Sequence, residues 1–403
     1  MFLSLLKETV ATLYSLFLPY APFAMLVVFA FVAWKLWRHY TLARFVSKLE
    51  WVTLEIRLPR EISKTPQAME LVLSAMHQTY EGNALDRILT NFKRAWFSLE
   101  IVSDGGTIHF YVHTQKFFRD IVEAAFYAHY PGIEIGEVRD YTLDVPYDMP
   151  GGEPWQLNGF EYKLSREDAI PIKTYVDFRM EKEGVKEEFK IDPMNQVLEL
   201  MGSINPEEKI WLQFVITAAK DESWKEEGRG IVNDILKREA KTKGPAQLSE
   251  GGFPILPSLT QVEKEVVEAI ERSLGQLGFV TGARVLYLAK EGHYRIPTLV
   301  GLIGLLRHYG SQNLNSFKIG RDIGYSFVWE DPFKWREERQ RREFFEGYVK
   351  RSFFYPPIAR ANTFILTDQE LATVFHLPGS VAQTPTLARI ESKRGEAPVN
   401  LPV

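Results

Sequence analysis

The spacing of apolar residues divides the chain into one long hydrophobic stretch, two similar strand-and-helix segments and a mixed C-terminal part. No charged residue occurs from Thr9 to Trp34, and about 20 such residues in a helix cross a bilayer core of about 30 Å. From Trp51 to Leu58, Val52, Leu54 and Ile56 alternate with Thr53, Glu55 and Arg57, the period of a half-buried strand that Pro59 ends. Thr65-Pro66 supplies a cap and a first helical position, after which Met69, Val72, Leu73 and Met76 form one apolar stripe. Phe97, Leu99 and Ile101 alternate with Ser98 and Glu100, Asp104-Gly105-Gly106 reverses the chain, and Ile108, Phe110 and Val112 line the return strand. A helix over about 115–129 presents Phe118, Ile121, Val122 and Ala125, and a strand follows around 133–138. The order β-α-β-β-α-β is the split βαβ pattern, with two helices on one face of a four-stranded antiparallel sheet.

Residues 140–168, rich in Asp, Pro and Gly, read as an ordered linker or extended cover. The pattern then restarts with a strand over Tyr175–Met180. Asp192-Pro193 repeats the cap signal, and Met194, Val197, Leu198 and Met201 reproduce the spacing of the first stripe. Ile210, Leu212, Phe214 and Ile216 give the next strand. Residues 218–278 then replace the tight turn of the first copy with a charged helical piece, a Gly/Pro-rich crossing and a helix opening at Thr260. The third strand carries Ala283, Val285 and Tyr287 on one face and Leu286 and Leu288 on the other, so the inserted helix or the first module is expected to cover that second face. Leu299, Leu302, Ile303 and Leu306 complete the repeat.

The expected fold is therefore α+β: an N-terminal transmembrane helix (1–48), then two duplicated ferredoxin-like (βαββαβ) modules at 49–150 and 151–330, the second with a helical insertion at about 219–277. Residues 331–403 add a basic and aromatic helix, a short strand-helix unit capped by Thr367 and Glu370, and an extended tail. On this reading Phe110→Ala or Phe214→Ala costs about 3 to 5 kcal/mol, whereas Glu100, on the water-facing side of its strand, tolerates change.

Charge adds direction. Lys35, Arg38, Arg44 and Lys48 follow the hydrophobic stretch, while Lys7 beside Glu8 precedes it, which puts the C-terminal part in the cytoplasm. The basic, bulky flank and the lack of a small-residue cleavage site favour a retained anchor over a signal peptide. Pro19 and Pro22 leave two arrangements open, a helix starting near them or an earlier helix kinked there. The 403 residues carry a net charge of -4 and no cysteine, which excludes disulfides, thiolate metal sites and cysteine nucleophiles.

Chemical motifs are sparse. Gly151-Gly152 and Gly301/Gly304 lack the lysine of a phosphate-binding loop, so ATP hydrolysis is not expected. None of the eight histidines belongs to a ligand motif; His109, His113 and His129, among Tyr111, Tyr127 and Tyr130, read as a solvent-facing aromatic surface, with no metal and no cofactor. Glu181, Glu183, Glu187 and Glu188, mixed with Lys182, Lys186 and Lys190, read as a solvated loop. The run from Lys334 to Arg351 has seven Lys/Arg against four Glu, interleaved with Trp335, Phe344, Phe345 and Tyr348. Lys334, Trp335, Arg336, Arg339, Arg341, Arg342, Lys350 and Arg351 form a candidate nucleic-acid or partner surface. The plainer alternative is a helix whose charges pair at three- and four-residue spacing while its aromatic stripe docks on the module.

The C-terminal part carries a family resemblance. Phe364-Ile-Leu-Thr-Asp-Gln-Glu-Leu-Ala-Thr-Val-Phe-His-Leu-Pro378, Thr384-Pro385, Ala397-Pro398-Val399-Asn400-Leu401-Pro402, the Trp335-Arg-Glu-Glu-Arg run and the strand-starting Trp96 and Trp211 resemble the membrane-linked region that precedes the nucleotide-binding domain in type IV secretion and conjugative coupling-protein-like ATPases of bacteria. The chain ends where that ATPase domain would begin, so no ATPase residue carries over. The resemblance implies a free-standing, single-pass bacterial inner-membrane module with a short N-terminus outside, working beside a separate motor ATPase in a homo-oligomer or membrane complex. Phe375, His376, Leu377 and Pro378 are its candidate partner segment. The expected function is thus a non-catalytic scaffold of a DNA or protein transfer machine. A membrane-tethered nucleic-acid-binding module is the alternative, and a hydrolase with an acidic or histidine-lined groove a more distant one.

Overall fold

The computed structural model of the protein describes residues 20–59, 64–147, 155–180, 192–220, 222–242, 259–324, 329, 331–355, 362–379 and 389–390. The Glu181–Lys190 cluster, Gly151-Gly152, Thr384-Pro385 and residues 397–402 lie outside them.

Two compact units are present, one comprising residues 1–50 with 81–93 and the other 51–80 with 94–403. In the first, helix α1 (Ala21–Ser47) is 27 residues long with mean hydropathy 1.4 over its most apolar window. At 1.5 Å per residue it measures about 40 Å, long enough to span a membrane. Pro22 sits in its first turn, where a missing N–H costs nothing. Asn91 Nδ2 donates to the Arg38 carbonyl at 3.0 Å, and Phe92 packs on Phe45.

The second unit is a mixed α+β body. In chain order it comprises β1 (Trp51–Pro59), α2 (Gln67–Met76), β2 (Trp96–Asp104), β3 (Thr107–Gln115), α3 (Arg119–His129), β4 (Glu134–Val138) and β5 (Trp155–Leu164). It continues with α4 (Met194–Gly202), β6 (Glu208–Ala218), α5 (Ser223–Thr242), α6 (Gln261–Leu274), β7 (Gly278–Lys290), α7 (Ile296–Ile303) and β8 (Phe317–Asp322). The last elements are α8 (Trp335–Val349), β9 (Thr363–Thr367), α9 (Asp368–Val374) and β10 (Arg389–Ile390). The first four strands lie in the order β4-β1-β3-β2 and the next four in the order β8-β5-β7-β6, all pairs antiparallel. An antiparallel β2–β6 pair, from Trp96 opposite Thr217 to Asp104 opposite Lys209, joins the two sets into one sheet. β9 pairs with the start of β7 beyond the end of β5, and β10 runs parallel to β1 at Leu58 and Pro59.

One face of the sheet carries the main core. Leu54, Ile56, Leu99, Ile101, Phe110, Val112, Leu212, Phe214 and Val285 meet the stripes of α2 and α4, whose eight methionine, valine and leucine residues at matching spacings are all buried. Gly105 and Gly106 take positive φ in the reversal between β2 and β3, where a side chain would be strained.

Two expectations are corrected. Tyr175–Met180 is not a strand: the Thr174 N–H and hydroxyl bond Asp177, Arg179 turns to positive φ, and the Tyr175 N–H is taken by Thr373 Oγ1. Local side-chain bonds there satisfy the groups that a ladder would have used. The strand instead is β5, inside the segment read as a linker, where Asn158-Gly159 mimics a turn. Neither inserted helix covers Leu286 and Leu288. α5 and α6 form a separate small cluster with Ile170; of the two expected covers it is the first module that contributes, through residues 141–147, and α8 supplies the rest.

Candidate functional site

That second face carries a polar row. Glu55, Tyr111, Glu100, Gln213, Arg284 and Glu161 are successive cross-strand partners through β1, β3, β2, β6, β7 and β5. Each occupies the outward position of its strand alternation, yet Glu100, Gln213, Arg284 and Glu161 are 0% exposed because α8 and the turn after it lie across them. Phe344 and Tyr348 anchor α8 against Trp211 and the apolar end of this face.

Arg351 fixes the end of the helix. The Arg351 N–H bonds the Tyr348 carbonyl and the Ser352 N–H the Gly347 carbonyl, both at 2.9 Å, the paired closure of a Schellman motif. That closure puts Arg351 at φ 49°, a position glycine normally takes. Its side chain explains the exception. Nε and Nη2 donate to the two Glu100 oxygens at 3.0 and 3.2 Å, and Nη2 also reaches Asp140 Oδ1 at 3.1 Å, with Nη1 on Asp140 Oδ2. Ser98, Gln213 and Tyr141 donate to the same Glu100 carboxylate at 2.5, 2.9 and 2.8 Å, and the Tyr141 and Tyr348 hydroxyls meet at 2.7 Å. Burial favours a neutral Glu100, but the Arg351 guanidinium overrides it and holds the carboxyl below its usual range; Asp140 behaves alike. Burial, then the Arg351 charge, presses His113 down to about 3, so its ring is neutral, bonded to Thr53 Oγ1 at 2.9 Å and stacked on Trp51.

Arg284 continues the row. Its Nη2 donates to the Ser352 carbonyl at 2.6 Å and its guanidinium lies 3.8 Å from the Phe353 ring centre, while burial brings its pKa down to about 10. Arg284 Nε and Nη1, both Glu161 carboxylate oxygens, Gln213 Oε1 and Ser352 Oγ have no hydrogen-bond partner among the described residues. No group of three or more His, Asp or Glu among the described residues is arranged to hold a metal.

The basic run divides accordingly. Lys334, Trp335, Arg336, Arg339, Arg342 and Lys350 are exposed. Arg341 is half-buried and pairs with Glu337 and Glu338, and Arg351, 2% exposed, is withdrawn from any surface by its two carboxylates. Arg339 and Arg342 lie 3.8 and 3.9 Å from Glu343 and Glu338, and Lys350 lies 3.1 Å from Glu346. The Phe375–Pro378 segment is also buried: His376 contacts Asp192 at 3.2 Å, and Phe375 meets Phe110 edge-on in the core, so these residues are closed to a partner. His113 is buried and His109 bonds Glu55 at 2.8 Å, which replaces the expected solvent-facing histidine surface. Sequence patterning missed Glu100, Glu161, Gln213 and Arg284, since outward strand positions ordinarily face water.

A family profile described as "Domain of unknown function (DUF8128)" matches residues 42–389. No curated protein matches. Among solved structures, one similar chain is the xylooligosaccharide oxidase from Myceliophthora thermophila C1 in complex with xylobiose. It is 8% identical with a TM-score of 0.26, the match covering 77% of this chain and 55% of that one. The chain thus spans little more than half the length of that oxidase, and so low a score carries no argument about fold or activity.

Proposed function

We propose that this chain, which belongs to the DUF8128 family, is a single-pass, non-catalytic scaffold of a bacterial inner membrane. Its two halves are read as duplicated ferredoxin-like units facing the cytoplasm, and its role as that of an accessory subunit of a secretion- or conjugation-like machine driven by a separate ATPase. The membrane part of this reading is supported by the length and apolarity of α1 and by the basic residues that follow its apolar part. The repeated strand order supports the duplication. The observation that carries the scaffold reading is the join. β2 and β6 pair along nine residues at the boundary of the two halves, and Arg351 and Arg284 tie the turn after α8 to strands on either side of it. Such a join makes one stiff surface of two units, which is what an assembly platform needs. The motor partner rests on the sequence resemblance.

The test is cross-linking and purification of the full-length, tagged chain from detergent-solubilised native cells. Recovery of a motor-type ATPase or a membrane complex is the expected result, and recovery of isolated protomers alone refutes the reading. The second reading, a nucleic-acid module, is favoured by the exposure of Arg336, Arg339 and Arg342 on one helix and opposed by the carboxylates near Arg339 and Arg342. Titration of the full-length chain with labelled single-stranded DNA at two salt concentrations decides it: binding that is salt-sensitive and lost in the Arg336/Arg339/Arg342→Ala variant supports the second reading.

A further inference from the structure

Between α2 and β2 the chain leaves the sheet unit for residues 81–93, which belong with α1. This excursion contains a short helix, Ala84–Leu89, at whose start the Asp86 carboxylate accepts the Asn83 N–H at 3.0 Å. Leu85, Ile88 and Leu89 share one helical face at the i, i+3, i+4 spacing and are 69, 54 and 55% exposed. An isolated helix shorter than about 12 to 15 residues is marginal in water, so one this short depends on packing of its apolar face. None of its residues is buried, so among the described residues that face is unpartnered.

Two contacts fix the height of the excursion along α1. Asn91 Nδ2 donates to the Arg38 carbonyl at 3.0 Å, and the Phe92 ring lies 5.2 Å from that of Phe45. Arg38 stands four residues, about 6 Å, beyond Trp34, where the uncharged run ends. The headgroup zone adds about 5 to 7 Å to each side of the apolar core, so Arg38 falls within it. Exposed Trp34, Trp37 and Tyr40 mark the same level, as the aromatic belt of a spanning helix does. Across residues 20–50 and 81–93 six Lys/Arg stand against three acids, of which Glu81 pairs with Arg87 at 3.1 Å and Asp86 is held at the helix start, a balance suited to lipid phosphates. We propose that Ala84–Leu89 is a second membrane contact, lying in the bilayer interface beside α1 with Leu85, Ile88 and Leu89 in the acyl boundary. It presupposes the anchoring of α1 proposed above: a segment already held at a bilayer meets it at high effective concentration, so three side chains suffice. A second copy of the chain is the poorer occupant, because a stable protein interface needs about 800 Å² from each partner and this face offers three side chains.

The absence of cysteine permits a clean test on the full-length chain. An environment-sensitive fluorophore is attached in turn at Ala84→Cys, one turn before Ile88; at Ala30→Cys, within the uncharged part of α1; and at Glu291→Cys, on the exposed turn after β7. Each protein is reconstituted into nanodiscs of phosphatidylcholine and phosphatidylglycerol whose lipids carry a nitroxide at carbon 5 or carbon 12 of one acyl chain, with iodide as the quencher in water. At residue 84 the shallow nitroxide quenches severalfold more than at residue 291, and iodide severalfold less; at residue 30 the deep nitroxide quenches most. Leu85→Ala with Ile88→Ala and Leu89→Ala removes the apolar face while favouring the helix, and returns residue 84 to the values of residue 291 with residue 30 unchanged. Deep quenching at residue 30 with residue 84 matching residue 291 overturns this contact alone. Loss of deep quenching at residue 30 overturns the anchor, and this contact with it. The proposal is also overturned if residue 84 is shielded from iodide without being quenched by lipid, since protein then covers the face; shielding confined to discs that hold two chains identifies that cover as a second copy.

Discussion

Replacing Arg351 with Met removes the only charge within the described network that faces both Glu100 and Asp140. The Glu100 carboxylate then stays at 0% exposure, with Ser98, Gln213 and Tyr141 still donating to it but no cation beside it. Breaking one side of a buried ion pair costs about 3 to 5 kcal/mol, and the Arg351 site belongs in that range because Asp140 is also left unpaired. Part of the effect is separable. Arg351→Gly suffers the same electrostatic loss but relieves the left-handed backbone, so it should be about 1 kcal/mol more stable than Arg351→Ala. Glu100→Gln combined with Arg351→Met should cost less than the sum of the two single changes by about 2 kcal/mol. The assay is equilibrium unfolding of the full-length protein in detergent, followed by tryptophan fluorescence, to which buried Trp96 and Trp211 both contribute. Acid gives an independent reading. In the native protein Glu100 has a lowered pKa, so its stabilisation is present above about pH 4.5 and is lost as pH falls through the lower folded value. In Arg351→Met, burial without a partner raises that pKa instead, so the carboxyl costs least when protonated. The deficit of the variant should therefore shrink as pH falls from 7 toward 4. A loss below about 1 kcal/mol at pH 7, or a deficit that does not change with pH, would refute the reasoning.

Three further outcomes follow from the packing. Phe214→Ala empties a fully buried site in the main core and should cost about 3 to 5 kcal/mol by the same unfolding assay. Gly282→Ala places a Cβ 2.3 Å from the Phe353 ring, which stacks on Arg284, and should lose about 1 to 3 kcal/mol and weaken the docking of the turn after α8, read as faster proteolysis there. Burial raises Glu370 to about 7, so the stability contributed by its protonated form is complete below about pH 4.5 and lost as pH rises through about 7. Asp168 and Asp368, raised to about 6, act in the same direction, and Glu370→Gln should flatten the decline between pH 5 and 8 without abolishing it.

Much of the architecture was legible because helices and strands on the main core obey one rule each. The stripes Met69-Val72-Leu73-Met76 and Met194-Val197-Leu198-Met201 are buried as read, the helix expected to open at Thr260 does so, and the Thr367/Glu370 cap forms as read. These features depend on residues a few positions apart. β5 was not legible for the converse reason. Its Asn158-Gly159 pair has the composition of a turn, and only the neighbouring strands β7 and β8, more than a hundred residues on in sequence, hold it extended. Tyr175–Met180 failed in the other direction, since alternation alone cannot reveal that Asp177 will take the Thr174 N–H and Thr373 the Tyr175 N–H.

The candidate site was misread because both faces of this sheet are covered. Alternation assigns Glu100, Gln213, Arg284 and Glu161 to water, and it would be right for a sheet with one solvated face. Here α8 returns across the strands from a distant point in the chain, and the polar positions become the interior of a second layer. Local signals did exist: Leu286 and Leu288 on the outward side of β7 require a cover, and a charged helix with Phe344 and Tyr348 on one stripe can provide it. Arg351 was the residue hardest to place, since in sequence it extends a basic run, whereas its backbone ends the helix in a position suited to glycine. A strained arginine at such a position argues that the guanidinium is needed where it sits. The basic surface is accordingly smaller than the run of charges suggests: Arg341 and Arg351 are withdrawn from it, and Lys334, Arg336, Arg339, Arg342 and Lys350 remain exposed.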